Sequence, residues 1–214
     1  QDIPESLRRQ LLVEVFEPIL SNHPLFQHLA SVDKDCMSSI CSAAIIECAL
    51  PRRSRLFSSG DSGQHMYILH SGQLSYSRAR AEIGLQKGDL LSEASLWIID
   101  WVHRGDCVAV KRSDIIGVSV HGLRSALDDS TIKSRPGSRI AYQYALQFIV
   151  DKCDCDLDSA LRCSDIWGDW SHIYGLYLKA THDEDGRVAD NAVKALGRKA
   201  KYAARRSNVI HRSD

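Results

Sequence analysis

The sequence predicts an α+β fold: an antiparallel, jelly-roll-like β-roll flanked by amino-terminal and carboxyl-terminal helices. Apolar residues recur at helical spacing as far as residue 48. The period changes to two, with turn glycines, between 52 and 120, and a helical stripe returns from Arg139 to Lys152. The chain has 214 residues, 44% of them hydrophobic, enough for one domain with substantial flanking structure or for two small domains. That content excludes disorder throughout.

Pro4 suits the first turn of a helix carrying Leu7, Leu11, Leu12, Val15, Phe16 and Ile19. Pro18 lacks an amide donor and is expected to bend or end that helix early. His23-Pro24-Leu25-Phe26 starts a short second helix, with Leu29 on its apolar face. Asp33 or Asp35 can cap a third, carrying Met37, Ile40, Cys41, Ala44, Ile45 and Cys48 and closed by Pro51.

Met66, Ile68 and His70 alternate with Tyr67 and Leu69 as a buried strand does, and Ser71-Gly72 supplies a turn. Leu74 and Tyr76 continue into the next strand; Val108, Val110, Ile115, Ile116, Val118 and Val120 fill two more. Glycines at 60, 63, 72, 84, 88, 105 and 117 punctuate the region, and short strands with regular turns argue for a roll or barrel. Residues 121–128 are read as a short helix. Pro136-Gly137 separates it from the helical stripe of Ile140, Tyr144, Ala145, Phe148 and Ile149.

Beyond Asp156, Ile166, Trp167, Trp170, Ile173, Tyr174 and Tyr177 form an aromatic helical face suited to packing. From Arg187, the apolar Ala192, Val193, Leu196 and Ala200 lie beside Lys194, Arg198, Lys199, Lys201, Arg205 and Arg206. Such a basic amphipathic helix can meet anionic lipid or calmodulin. Its small, alanine-rich face favours a solvated helix or tail, with at most a weak membrane-surface contact.

Lys and Arg number 27, as do Asp and Glu, so no global basic field points to nucleic acid. The seven cysteines are odd in number and lack framework spacing, which favours reduced thiols over disulfides. Cys153-x-Cys155 with Cys163 fits no common zinc pattern. Thr181-His182-Asp183-Glu184-Asp185-Gly186 lacks the first and twelfth carboxylates of a calcium loop. No metal site is expected. No run approaches the roughly 18 to 20 apolar residues of a membrane helix, and the polar amino end does not read as a signal peptide. A chain opening on Gln1 is expected to be excised from something longer, and a soluble piece can still belong to a membrane protein. Nothing is spaced as a catalytic triad, a P-loop or a metal-hydrolase site, so no catalytic residue and no enzyme is expected.

Four stretches in order carry a resemblance: Leu50-Pro51-Arg52-Arg53-Ser54-Arg55-Leu56-Phe57-Ser58-Ser59-Gly60-Asp61, His65-Met66-Tyr67-Ile68-Leu69-His70-Ser71-Gly72, Lys87-Gly88-Asp89-Leu90-Leu91-Ser92-Glu93-Ala94-Ser95-Leu96, and Cys107-Val108-Ala109-Val110. The series resembles the cyclic-nucleotide-binding homology domain of regulated ion channels and cyclic-nucleotide sensors. Pro4-Glu5-Ser6-Leu7-Arg8-Arg9 with Asn22-His23-Pro24-Leu25-Phe26 resembles the end of the linker that joins a voltage-gated pore to that domain. The resemblance spans roughly residues 3 to 150. It implies a C-linker-like segment over 1–32, the nucleotide-binding-like domain over 33–152, and a helical extension with a basic tail over 153–214. It further implies a non-enzymatic module on the cytoplasmic side of a membrane, part of a voltage-gated, potassium-type channel that assembles as a homotetramer through the linker. In that family the helix after the roll moves to change the linker assembly; here it is Arg139 to Lys152. A soluble cyclic-nucleotide receptor, of the kinase-regulatory or transcription-regulator kind, is the alternative. It predicts a second nucleotide-binding repeat, an inhibitory sequence or a DNA-reading helix pair, and none is found.

In this family a short helix offers unpaired N–H groups to a cyclic phosphate, an arginine adds charge-assisted bonds, and a glutamate accepts from the ribose. The resemblance maps Glu93 to that glutamate and places Ser92 where glycine is usual, which matters if the backbone needs a positive φ. Read without the family, Ser92 is equally a helix N-cap and Glu93 a first-turn acid. Asp106 stands at the arginine position before Cys107-Val108-Ala109-Val110, and a like charge at about 4 Å from a phosphate costs roughly 1 kcal/mol in water and several at lower dielectric. Arg104, or a protonated His103, is the substitute cation. A retained site for cAMP or cGMP would thus draw on Ser92, Glu93, Ala94, Ser95, His103, Arg104 and Cys107, with no cofactor otherwise. Trp97 and Trp101, four apart, can share a helical face and either pack onto the roll or roof the pocket. Asp106 favours a lost nucleotide response, with the roll serving as a structural or self-liganded coupling element.

Overall fold

The computed structural model describes residues 3–128, 136–153 and 164–166. Three helices come first: α1 (Glu5–Leu20), α2 (Pro24–Val32) and α3 (Lys34–Ala43). Pro18 lies inside α1, which nonetheless runs on to Leu20 and is closed by the Ser21 N–H donating to the Glu17 carbonyl at 2.8 Å. His23 caps α2: its Nδ1 accepts the Leu25 N–H at 3.2 Å, and Pro24 occupies the first turn. Asp33 caps α3 by accepting from the Cys36 N–H at 3.0 Å.

The third helix ends at Ala43, well before the expected boundary at Pro51, since Ile45–Leu50 is strand β1. The apolar periodicity there fits either state, and antiparallel pairing with residues Ser113–Val118 decides for strand. The remaining strands are β2 (Arg55–Phe57), β3 (His65–Ser71), β4 (Leu74–Arg78), β5 (Ala81–Leu85), β6 (Leu90–Leu91), β7 (Asp106–Ala109) and β8 (Ser113–Ser119). The short helix α4 (Ala94–Trp97) interrupts them, and α5 (Val120–Asp128) and α6 (Pro136–Cys153) follow.

The strands form two separate four-stranded antiparallel sheets, ordered β1-β8-β3-β6 and β2-β7-β4-β5. This corrects the expected jelly-roll-like β-roll: neither sheet curls or closes, and the fold is α+β with two open sheets flanked by helices. The strands that end the sheets include β6, of two residues, and β2, of three with an irregular register. Such short elements offer too few ladder bonds to seal one sheet to the other.

In the first sheet the central strands β3 and β8 bury side chains on both faces, which is why they read as nearly continuous apolar runs, whereas most of the edge strand β1 is exposed or half-buried. Met66, Ile68, Ile116 and Val118 pack with Phe16, Leu20, Leu25, Phe26, Met37, Ile40, Tyr144 and Phe148 of the helices. Leu69, Leu91 and Ile115 instead join Leu50, Phe57, Leu74, Tyr76, Leu85, Cys107 and Ala109 in a second core that draws on both sheets. On α1, by contrast, Ile3 just before it and Leu7, Leu11 and Val15 within it are 58%, 47%, 44% and 55% exposed, an apolar row four residues apart. Among the described residues no helix is long and apolar enough to cross a membrane.

Candidate functional site

The turn between β6 and α4 and the segment leading into β7 meet in the interior. Ser92 has φ +58°, the left-handed region, at a fully buried position. That geometry aims its N–H inward, where it donates to the backbone carbonyl of Asp165 at 2.6 Å. Ser92 Oγ lies 3.1 Å from His103 Nδ1. Ser92 therefore does not act as the N-cap of α4; the cap position falls to Glu93, without a side-chain cap bond.

Asp165 is the residue that sequence reading missed, and the site is organised around it. Its Oδ2 accepts from the backbone N–H of Arg104 at 2.6 Å and of Gly105 at 3.1 Å, and from Tyr76 Oη at 2.9 Å. Its Oδ1 accepts from Trp101 Nε1 at 3.0 Å and faces His103 Nδ1 at 3.0 Å. Gly105 is required: a Cβ there would lie 2.6 Å from Tyr76 Cζ and 2.5 Å from the Ser77 carbonyl. Burial by itself would raise the Asp165 carboxyl, but the His103 hydrogen bond, the Arg104 amide and the Trp101 indole outweigh it and hold the group below its ordinary range. The only sequence cue was an acid between Ser164 and Ile166, which nothing in spacing or period distinguishes.

His103 is stacked on Phe57, ring centroids 3.8 Å apart and planes within 5°. Ser92, His103 and Asp165 are the residue types of a hydrolytic triad, but both contacts reach the same ring nitrogen, Nδ1. A relay needs the two imidazole nitrogens to serve different partners, so this trio orients a ring and does not activate Ser92.

Glu93 sits 1% exposed at a second junction. Its Oε1 accepts from Trp97 Nε1 at 3.1 Å and from Tyr144 Oη of α6 at 2.8 Å. His23 Nε2, at the start of α2, approaches the same oxygen at 3.2 Å, a charge-range contact without hydrogen-bond alignment. Because His23 Nδ1 accepts from Leu25, its ring proton is assigned to Nε2, toward Glu93. Burial pushes the Glu93 carboxyl up; the His23 imidazole and the Tyr144 and Trp97 donors prevail and hold it below the usual carboxylate range. Desolvation, with Glu93 beside it, drives the Tyr144 phenol well above its ordinary value.

The other predicted site residues are placed as follows. Ala94 and Ser95 are buried in α4, and Ser95 N–H bonds back to the Ser92 carbonyl at 2.9 Å. Arg104 meets Asp165 through its backbone, while its guanidinium lies over the Trp101 ring, 5.1 Å from the centroid. Cys107 is buried in the second core, where desolvation lifts its thiol to about 12. Asp106 does not project into the cradle; its Oδ1 accepts from the Ser59 N–H at 3.3 Å. Trp97 and Trp101 do not share a helix, since α4 ends at Trp97 and Asp100 turns the chain at φ +55°. Among the described residues no group of three or more His, Cys, Asp or Glu side chains could hold a metal. The aromatic face from Trp167, the segment 181–186, the basic helix from Arg187 and the side chains of Cys153, Cys155 and Cys163 lie outside the described residues.

Two sheets, the linker-like helices before them and a cradle at the β6–α4 turn define a cyclic-nucleotide-binding-homology-domain-like fold, related at moderate identity to the C-linker and homology-domain regions of ion channels. The C-linker/CNBHD of zELK channels, crystallised in the presence of cAMP, is 26% identical over 59% of this chain and 63% of that chain, with a TM-score of 0.50. The chain thus spans less than two thirds of the length of that channel fragment. A cyclic-nucleotide-binding-like protein from Brucella abortus is 22% identical over 53% of this chain and 97% of that one, with a TM-score of 0.45. No protein-family model matches this chain, and no curated protein matches it.

Proposed function

We propose that this chain is a non-enzymatic regulatory module of a voltage-gated, potassium-type channel, its nucleotide cradle closed by its own Asp165. The observation that carries this reading is the occupant: five donors, from Tyr76, Trp101, His103, Arg104 and Gly105, converge on one carboxylate of the same chain. Glu93, which the family resemblance assigns to ribose, is committed to Trp97, Tyr144 and His23. Both halves of a nucleotide site are therefore engaged internally. The module works as a coupling element: His23 of the linker-like helices and Tyr144 of α6 meet on one Glu93 oxygen, so displacement of α6 is felt at α2. The apolar row on α1 is the surface through which the linker segments of a homotetramer pack together.

Isothermal titration of the chain with cAMP and with cGMP tests the closed cradle. No saturable heat is expected up to millimolar nucleotide. Micromolar binding that Arg104→Ala abolishes would show a retained nucleotide site and overturn it.

A further inference from the structure

We propose that the cradle is a receptor for an aspartyl carboxylate, and that with Asp165 removed it takes a free carboxylate in preference to a cyclic phosphate. The proposal rests on the reading of Asp165 as the occupant. The donors divide into a fork: three serve Oδ2 and two serve Oδ1, which matches a planar group whose single charge is spread over two oxygens. No Lys or Arg side chain is among them, because the Arg104 guanidinium is turned over the Trp101 ring. A phosphodiester brings a tetrahedral centre, a sugar and a base. The sugar's expected partner, Glu93, is held by Trp97 and Tyr144, and Trp101 is packed against the cradle at 4% exposure.

The site reads more than a carboxylate. Ser92 N–H donates to the Asp165 backbone carbonyl at 2.6 Å, and Ile166 packs against the second core. A short peptide bearing aspartate before an apolar residue therefore matches the whole site, whereas acetate matches only the fork. In the intact chain Asp165 belongs to the same molecule as the cradle, so a free carboxylate has to displace it without that covalent advantage and competes poorly.

The test uses the full chain with Asp165→Gly, followed by thermal melting. Tm is expected to fall by roughly 5 °C or more. Acetate should restore it saturably, and the blocked tripeptide Ser-Asp-Ile should do so at concentrations at least tenfold lower. Phosphate at matched ionic strength and cAMP should not, and the unaltered chain should not respond to acetate. Asp165→Asn, which keeps the size but turns an amide donor toward the cradle donors, provides the same readout should the glycine variant fail to fold. If phosphate or cAMP restores Tm as well as acetate does, the carboxylate preference is wrong, while Asp165 remains the occupant. If no carboxylate restores it, the receptor is refuted. If neither variant loses Tm, Asp165 is not the occupant, and the closed cradle proposed above fails with it.

Discussion

Ser92 illustrates how one residue can carry a conformation its chemistry disfavours. A side chain in the left-handed region costs about 1 to 2 kcal/mol, and Ser92 regains part of this through its contacts with His103 and Asp165. Ser92→Gly relieves the backbone and forfeits the hydroxyl contact, so its stability should stay within about 1 kcal/mol of the parent. Ser92→Val adds a β-branch at the same φ and should lose about 2 kcal/mol or more in urea unfolding. Glu93 and Asp165 make the matching electrostatic prediction. Both folded-state values lie below their ordinary ones, so both stabilise the fold fully above the normal carboxylate range, near pH 4, and lose that contribution as pH falls through the folded values. Urea unfolding of the parent should therefore weaken steeply below about pH 4, and a Glu93→Gln/Asp165→Asn pair should show a flatter dependence. An equally steep pair would remove these two groups from the account. The family resemblance singled out Glu93 as a ribose partner, but the partners it has in the structure were not legible. His23, Trp97 and Tyr144 lie up to 70 positions away, and no local pattern encodes which donors a buried acid will meet.

The helices and strands differ in how far local chemistry specified them. The caps of α2 and α3 follow from His23, Pro24 and Asp33, whose side chains or missing amide act within three residues. Strand β1 was misread as the end of a helix, because Ile45 and Cys48 satisfy a helical spacing equally well and only pairing with β8 separates the two. For α6 the apolar stripe was clear, yet its tie to the rest of the molecule is polar. Tyr144→Phe keeps the ring contacts with His23 and Trp97 and deletes the 2.8 Å bond to Glu93. It should cost about 1.5 to 3 kcal/mol and raise amide hydrogen exchange in α6 and at the start of α2 together. Faster exchange in α6 alone would break the proposed coupling between them.

At the scale of the whole molecule, the row of Ile3, Leu7, Leu11 and Val15 is an exposed apolar face along α1. Light scattering across a concentration series should show self-association of the parent chain, and Leu7→Glu with Leu11→Glu should abolish it while leaving Tm nearly unchanged, since both side chains are exposed. A parent that stays at single-chain mass at high micromolar concentration would exclude α1 as a self-sufficient contact. The two-sheet architecture belongs to the same scale. Alternation and turn glycines locate strands, but they do not say which edge strands meet, so a closed roll and two open sheets look alike in one dimension.

The helix starts at Pro4, Pro24 and Asp33 and the turn at Gly72 were determined by the sequence alone, because each depends on residues a few positions apart. Tertiary structure decided the separation into two sheets, the strand state of Ile45–Leu50 and the two junctions at Glu93 and Asp165. The reason is the same in each case. Strand pairing and the satisfaction of buried charge are contacts between distant segments, and their free energy exists only once the chain has brought those segments together.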